Sequence, residues 1–180
     1  EEDGSVVGMF LQTGLDFFVA SSFSKSFSLY GERVGALSVV CRSEEEAGRV
    51  LSQLKRVIRT NYSNPPTHGA AVVAMVLTSP ALRDLWKSEL SGMRARIKQM
   101  RTMLQQRLEA TGLRQDMSFI TRQRGMFSYS GLGQAQMQRL RGEFGIYGVD
   151  SGRICVAALN ELNIDAVVAA IATVSYKDRE

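Results

Sequence analysis

Residues 21–33 of the chain read SSFSKSFSLYGER and separate two short apolar runs. The run before them, residues 17–20 (FFVA), predicts a buried strand, and the run after them, residues 34–41 (VGALSVVC), predicts a second strand. The polar, hydroxyl-rich stretch between these runs therefore predicts a loop that follows the end of a strand. Because helix signals come next, the unit indicates an α/β fold.

The first helix signals follow the second strand. Ser43, with Glu46 three residues later, predicts a capping box at the start of a helix. Residues 61–66 (NYSNPP) end that helix, because two prolines cannot continue it. Residues 68–77 (HGAAVVAMVL) are apolar all round and predict a fully buried helix, which His68 is expected to cap.

A long helix is predicted over residues 80–111, with Ser79 as its N-cap and Gly112 after its end. At about 1.5 Å per residue it would be about 45 Å long, which exceeds the width of a small domain. We therefore predict that it connects a large domain, residues 1–92, to a small domain, residues 93–180. Its basic residues are expected on a solvated face: Arg94, Arg96, Lys98 and Arg101.

Shorter elements are predicted after the long helix, where the apolar runs become brief and glycines more frequent. Strands are expected at residues 119–121, 126–130, 146–149 and 153–157, and helices at residues 135–144 and 164–176. The sequence therefore predicts a second, smaller α/β body at this end of the chain.

Composition excludes several classes of protein. The 180 residues are 44% hydrophobic and 22% charged, which is typical of a globular chain. A net charge of +4 is too small and too scattered to indicate nucleic-acid binding. Cys41 and Cys155 lie far apart, which argues against a disulfide framework and a zinc site. No apolar run approaches the roughly 18 residues of a membrane span, so no membrane partner is expected. Since the cysteines do not indicate a zinc site, no metal is expected either.

Lys25 carries the strongest chemical signal in the chain. A lysine just beyond a buried strand is partly desolvated, which favours the nucleophilic free amine. The hydroxyls of Ser22 and Ser24 and the guanidinium of Arg33 could hold a phosphate group. A phosphate holder beside a reactive amine suits pyridoxal 5'-phosphate, whose aldehyde forms a Schiff base with lysine.

Two other interpretations of the same residues stay open at this point. The stretch is also typical of a solvated, serine-rich loop with an ordinary surface lysine. Ser22 and Lys25 match the S-x-x-K motif of penicillin-recognising serine enzymes, but the companion motifs S-D-N and K-T-G are absent from the sequence.

Five separated motifs, taken together, decide between these interpretations. The pattern S-x-S-K-x-F-S-L-Y-G-E-R-x-G resembles the cofactor-lysine segment of the aspartate and aromatic amino acid aminotransferases. The residue sequence FSLYGERVGALSVVC is most similar to that of the bacterial aromatic members. This family is of fold type I and depends on pyridoxal phosphate. The other motifs match in order at residues 59–66 (RTNYSNPP), 68–70 (HGA), 125–131 (GMFSYSG) and 151–153 (SGR).

The resemblance implies a role for each matching residue. Lys25 would form the internal aldimine and move the proton of transamination, while Ser22, Ser24 and Arg33 would bind the cofactor phosphate. Arg153 would bind the substrate α-carboxylate, and Phe127 would line the substrate pocket. Arg59 would reach into the neighbouring subunit of a homodimer and bind a substrate side-chain carboxylate, assisted by Ser63 and Asn64.

The resembled family is roughly twice as long as this chain. The chain is therefore expected to be its C-terminal part: the end of the large domain, the connecting helix and the small domain. The acid that pairs with the pyridinium nitrogen would fall before Glu1, so we expect the chain alone to be inactive. The resemblance implies a cytoplasmic enzyme acting on amino acids and 2-oxo acids. The alternative is a non-catalytic lobe that serves as a binding or dimerisation module.

Overall fold

The computed structural model describes residues 4–176, which divide into two compact units. The first unit ends at Lys87 and the second begins at Ser88, inside one long helix. The described elements are α1 Ser5–Gln12, β1 Phe17–Ser22, β2 Gly35–Val40, α2 Glu44–Asn61, α3 His68–Thr78, α4 Pro80–Ala110, α5 Phe119–Arg122, β3 Phe127–Tyr129, α6 Gln134–Phe144, β4 Arg153–Cys155, a 3-10 turn Val156–Ala158, and α7 Ile164–Tyr176.

In the first unit, β1 and β2 pair antiparallel, with Phe17 opposite Val40 and Ser22 opposite Gly35. Both predicted strands are confirmed, but the prediction that they are buried is wrong for this chain. Phe18, for example, is 67% exposed. The reason is that a two-stranded ribbon leaves its faces open unless another layer packs on it.

Helix α2 begins as its capping signal predicts. The Ser43 hydroxyl accepts a hydrogen bond from the Glu46 amide at 3.2 Å. The Glu46 carboxylate accepts from the Arg42 amide at 3.1 Å, one residue earlier than in a standard capping box. Three glutamates occupy its first turn, where a helix dipole favours negative charge.

Helix α3 is confirmed in its position but not in its burial. It was expected to be fully buried, yet Gly69 and Val73 are its only buried residues, and Met75 is 64% exposed. The buried face lies on the segment before β2, because a Cβ added at Gly69 would stand 2.9 Å from the Cβ of Glu32. The other faces of the helix have no comparable cover in the described part of the chain.

Helix α4 runs for 31 residues and confirms the predicted long helix. The Ser79 carbonyl accepts from the Arg83 amide at 2.9 Å at its start. Gly112 ends it in the left-handed region with φ +79°, which a residue without Cβ adopts freely.

The second unit contains a continuous hydrophobic core. The C-terminal half of α4 packs there with α6, α7 and the 3-10 turn, and β3 pairs antiparallel with β4 at one side. Its most completely buried side chains come from α4, α5, α6, α7 and the 3-10 turn: Leu104, Leu108, Ile120, Met137, Leu140, Val156, Ile164 and Val174.

Two predicted strands of the second unit are wrong. Residues 119–121 lie in the helical turn α5, because the Asp116 carboxylate accepts from both the amide and the hydroxyl of Ser118 and starts the turn. These hydrogen bonds stabilise the charged form and lower the pKa of Asp116. Residues 146–149 form no strand. The Val149 amide instead donates to the Arg153 carbonyl and closes a tight turn.

The remaining predicted elements are confirmed with small shifts. The strand expected at residues 126–130 is β3, the helix expected at 135–144 is α6, and the helix at 164–176 is α7. The strand expected at 153–157 ends early, because its last residues turn into the 3-10 segment. No helix within residues 4–176 is both long and apolar enough to cross a membrane.

We expect Leu104→Ala to destabilise the second unit by about 2–5 kcal/mol, because the side chain is fully buried and its removal leaves a cavity. The matched control is Leu162→Ala, whose side chain is 96% exposed and whose loss should change stability by less than about 0.5 kcal/mol. Urea denaturation followed by circular dichroism measures both. Equal effects would contradict the assigned core.

Candidate active site

The segment that joins β1 to β2 is folded back on itself by backbone hydrogen bonds. We name residues 22–33 the lysine loop, after Lys25. The Phe27 amide donates to the Phe23 carbonyl at 3.1 Å, and the Ser28 amide donates to the Lys25 carbonyl at 3.3 Å. Ser28 and Arg33 have φ +56° and +52°, a region that residues with a Cβ rarely adopt. The loop is therefore a defined turn.

Aromatic side chains anchor the lysine loop to the beginning of α4. The Trp86 indole donates to the Ser26 carbonyl at 2.7 Å, and its ring stacks on Phe27 with centroids 4.8 Å apart. Phe23 meets Phe27 edge to face at 5.5 Å. The sequence patterns above do not predict this anchor. Its signal was the pair of phenylalanines, four residues apart, in a stretch otherwise rich in serine.

Lys25 stands over an aromatic ring. Its Nζ lies 3.9 Å from the centroid of Tyr30, a distance at which the ring's negative face attracts an ammonium group. The side chain is exposed, so the partial burial expected for this lysine is not observed in this chain. Tyr30, which had no assigned role in the sequence, is thus the residue next to the amine.

The other cofactor candidates lie in the same loop. The Ser24 amide donates to the Ser22 hydroxyl at 3.3 Å, and Ser24 is buried. Arg33 is exposed, and its Nη1 donates to the Tyr30 carbonyl at 3.1 Å. Tyr30 therefore contacts Lys25 through its ring and Arg33 through its backbone. The structure brings an amine, two hydroxyls and a guanidinium into one turn.

His68 fastens the end of the lysine loop to α3. It is the first residue of that helix, and its Nδ1 lies 3.0 Å from the Glu32 carboxylate. The expectation that His68 caps the helix is wrong, since Thr67 occupies the N-cap position without a side-chain hydrogen bond. The side chain reaches toward the carboxylate instead of the free amides of the helix.

Arg59 occupies the last turn of α2 and is exposed. Its Nη1 donates to the Ser63 hydroxyl at 2.7 Å. Ser63 has φ +68°, and its amide donates to the Ile58 carbonyl at 3.0 Å. The reversed backbone at Ser63 therefore points its hydroxyl back at the arginine. The two residues that the motif RTNYSNPP associates are in direct contact.

Arg153 and Phe127 meet on the β3–β4 ribbon of the second unit. Arg153 pairs with Tyr129 across the ribbon, diagonal to Phe127. The Arg153 guanidinium carbon lies 5.0 Å from the Phe127 ring centroid. A guanidinium stacked on a ring keeps its N–H edges available for a carboxylate. Phe127 is 39% exposed, so the pair is open to a small molecule.

One basic residue of α4, Arg101, contradicts the predicted solvated face, whereas Arg94, Arg96 and Lys98 are exposed as expected. Arg101 is 3% exposed and its guanidinium is hydrogen-bonded inside the second unit. Arg96 donates to the carbonyls of Ala157 and Leu159 at 2.6 and 2.9 Å. The pattern contained a signal for Arg101, because it stands four residues after Ile97 and three before Leu104, on the apolar stripe. Burial and the nearby charge of Arg124 lower the pKa of Arg101.

Known aminotransferases have sequences similar to this chain over nearly its whole length. The sequence matches the family described as aminotransferase class I and II over residues 3–171. It is 63% identical over 174 residues to an aspartate aminotransferase from Pseudomonas aeruginosa and 51% identical over 174 residues to an aromatic-amino-acid aminotransferase from Escherichia coli K12. Each match covers 97% of this chain and 44% of the relative.

A solved structure shows the same likeness in three dimensions. The crystal structure of an aromatic-amino-acid aminotransferase from Burkholderia pseudomallei, covalently bound to pyridoxal phosphate, matches with a TM-score of 0.92 and 64% sequence identity. The match covers 97% of this chain and 44% of that one. The chain thus spans less than half the length of the relatives it matches.

Proposed function

This chain belongs to the class I and II aminotransferase family, and from that premise we propose that the protein carrying it is a transaminase. The family resemblance and the α/β, fold-type-I assignment are confirmed by the relatives and the solved structure. The proposed reaction moves an amino group between an aromatic or dicarboxylic amino acid and a 2-oxo acid such as 2-oxoglutarate, with pyridoxal 5'-phosphate as cofactor. The names of the relatives support both substrate classes.

The observation that carries this proposal is the composition of the lysine loop. Lys25 would hold the cofactor's aldehyde carbon, while Ser22, Ser24 and Arg33 would hold its phosphate. The donor set fits the group, because hydroxyls and a guanidinium are ordinary phosphate ligands. When bound, pyridoxal phosphate supplies an electrophilic carbon and a ring that withdraws electrons from the substrate α-carbon.

Lys25 would also carry the proton of the reaction. Its Nζ would take a proton from the substrate α-carbon and return one later, which a flexible amine can do from a single position. Tyr30 supports this role by its position, since its ring lies 3.9 Å from the Lys25 Nζ and holds the amine beside it. The hold of Trp86 on Ser26 keeps the loop, and with it the amine, in place.

Arg153 would bind the α-carboxylate that all amino acid substrates share. A guanidinium forms two parallel hydrogen bonds with a carboxylate, which fixes both position and orientation. Phe127 stacks on it at 5.0 Å and would add an apolar wall for aromatic side chains. The same two residues would thus serve both substrate classes.

Arg59 would bind the second carboxylate of a dicarboxylic substrate. Its hydrogen bond to Ser63 at 2.7 Å supports a guanidinium held ready, rather than one sampling many rotamers. This side chain would lie in the active site of the neighbouring subunit of a homodimer. Dimer formation and a cytoplasmic location stay predictions from the family resemblance.

A second candidate function is a non-catalytic lobe that binds another protein segment. It is favoured by the first unit, where Ser24, Gly69 and Val73 are the only buried residues among residues 4–87. Large apolar side chains are exposed there, including Phe10, Phe18 and Leu37. In this second candidate a segment of another protein would cover them, whereas in a transaminase the remaining part of a longer chain would do so, since the relatives are more than twice as long.

We expect the 180-residue chain alone to be inactive with tyrosine and 2-oxoglutarate. A graft in which this chain replaces the matched 174 residues of the P. aeruginosa enzyme should be active, because the relative then supplies the remaining layers. Following 2-oxoglutarate-dependent loss of tyrosine tests both. Activity of the chain alone would refute the expected inactivity, and an inactive, folded graft would favour the non-catalytic lobe.

Borohydride reduction tests the role of Lys25. We expect the graft, loaded with pyridoxal phosphate and reduced, to gain the mass of one pyridoxyl phosphate group on Lys25, located by peptide mapping. Lys25→Ala should lose the adduct, whereas Lys55→Ala, which removes an exposed lysine of α2, should keep it. An adduct on any other lysine of this chain would contradict the assignment.

Replacing Arg59 by Leu should lower kcat/KM for aspartate about 10- to 100-fold, since a hydrogen bond to a charged group contributes about 1.5–3 kcal/mol. The value for tyrosine should change much less, because tyrosine has no second carboxylate. Steady-state kinetics of the graft measure both, with Arg56→Leu on the same helix as control. Equal losses for the two substrates would sink the assignment.

A further inference from the structure

Arg101 is a buried charge whose partners are uncharged oxygens. Its Nη1 donates to the Ile120 carbonyl and the Ser128 hydroxyl, both at 2.9 Å. Its Nη2 donates to the carbonyls of Phe127 at 2.7 Å, Gly125 at 2.8 Å and Arg124 at 3.4 Å. Within residues 4–176 no carboxylate is bonded to it.

The hydrogen bonds of the Arg101 guanidinium go to one short segment of the chain. The five acceptors lie between residues 120 and 128, a stretch that contains the end of α5 and most of β3. A guanidinium offers five N–H groups in a rigid plane, so one side chain can donate to several oxygens of this loop at once, including those of the buried residues Ile120 and Ser128. A buried carbonyl without a donor is costly. Loss of Arg101 therefore leaves the whole loop without its common partner.

The hydrogen bonds of Arg101 are connected through the β3 backbone to Phe127 and Arg153, the two residues proposed to bind substrate. Its 2.7 Å bond holds the carbonyl of Phe127, whose ring stacks on Arg153. Its bond to Ser128 continues into a side-chain network, because the Ser128 hydroxyl donates to Gln123, whose carbonyl accepts from the Tyr129 amide. Tyr129 is the ribbon partner of Arg153. Both neighbours of Arg153 on β3 are thus tied to the same guanidinium.

We propose that Arg101 is a positioning residue for the substrate carboxylate, acting through β3 on the placement of Phe127 and Arg153. This inference rests on the proposed function for its kinetic consequence, but its structural part does not. A misplacement of about 1 Å in a group that orients substrate can lower kcat/KM by up to about 100-fold. Because Arg153 meets the α-carboxylate, the effect should be common to all amino acid substrates.

The kinetic test uses the graft with Arg101→Met, a side chain of similar length without donors. We expect KM to rise about tenfold for aspartate and tyrosine alike, while kcat changes by less than about twofold. Arg101→Lys should give an intermediate rise of at least about threefold, because an ammonium lacks the planar fork. Arg94→Met, which removes an exposed arginine of the same helix, should leave KM unchanged.

A double-substitution cycle separates positioning from general loss of stability. If Arg101 acts through Arg153, Arg101→Met should raise KM by less than about twofold when Arg153→Lys is already present. A purely structural role would lower the melting temperature and leave KM unchanged below it. Independent, additive effects of the two substitutions on KM would overturn the proposal.

A spectroscopic readout stands apart from the proposed function. In the 15N-edited NMR spectrum of the 180-residue chain, stacking on Phe127 should displace the Arg153 Nε–H resonance, and Arg101→Met should move it toward the value of a free arginine. Arg94→Met should not. An inactive wild-type graft would refute the proposed function, yet this resonance would still decide the positioning role. An unchanged resonance in folded Arg101→Met, or in Arg101→Lys if the first variant does not fold, would overturn it.

Discussion

The second unit depends on the hydrogen bonds that the buried guanidinium of Arg101 donates to α5, β3 and the segment between them. Packing of the second unit buries Ile120 of α5 and Ser128 of β3, whose buried polar atoms need hydrogen-bond partners. Arg101 donates to both and to three neighbouring carbonyls, at distances from 2.7 to 3.4 Å. Burial without a carboxylate partner is expensive for a charge, which the lowered pKa of Arg101 reflects. The carbonyl dipoles offset that cost. Because there are several of them, no other side chain could donate to all of them as arginine does.

Helix α4 supplies a comparable anchor to each unit. In the first, Trp86 holds the lysine loop by one hydrogen bond and one ring contact. In the second, Arg101 holds β3, and Arg96 holds the segment that follows β4 through two carbonyls. The groups proposed to bind cofactor and substrate sit on short loops and a two-stranded ribbon. Such elements have little rigidity of their own, so their precision comes from the long helix beside them.

Local signals predicted the parts of this fold that local interactions determine. The Ser43 cap, the Gly112 stop and the span of α7 depend on neighbouring residues, and the structure confirms them. Residues 119–121 were mistaken for a strand because a side-chain bond three residues upstream decides their conformation. Burial of α3 depends on what packs against it, and no window of sequence contains that information, whereas the apolar stripe of α4 did indicate the burial of Arg101. The cofactor candidates were found by motif, whereas Tyr30 stood in that motif without an assigned role and Trp86 belonged to no motif.

The left-handed backbone at Ser28, Arg33 and Ser63 has a further meaning for how these loops evolve. Each residue pays about 1 kcal/mol for a conformation that glycine would adopt without strain. Glycine, however, would enlarge the set of shapes open to the unfolded chain and to the loop itself. All three residues lie within a few positions of a proposed binding group. At these three positions glycine would relieve the backbone strain but loosen the loop, so drift toward glycine would disturb the placement of the binding groups before it disturbed the fold.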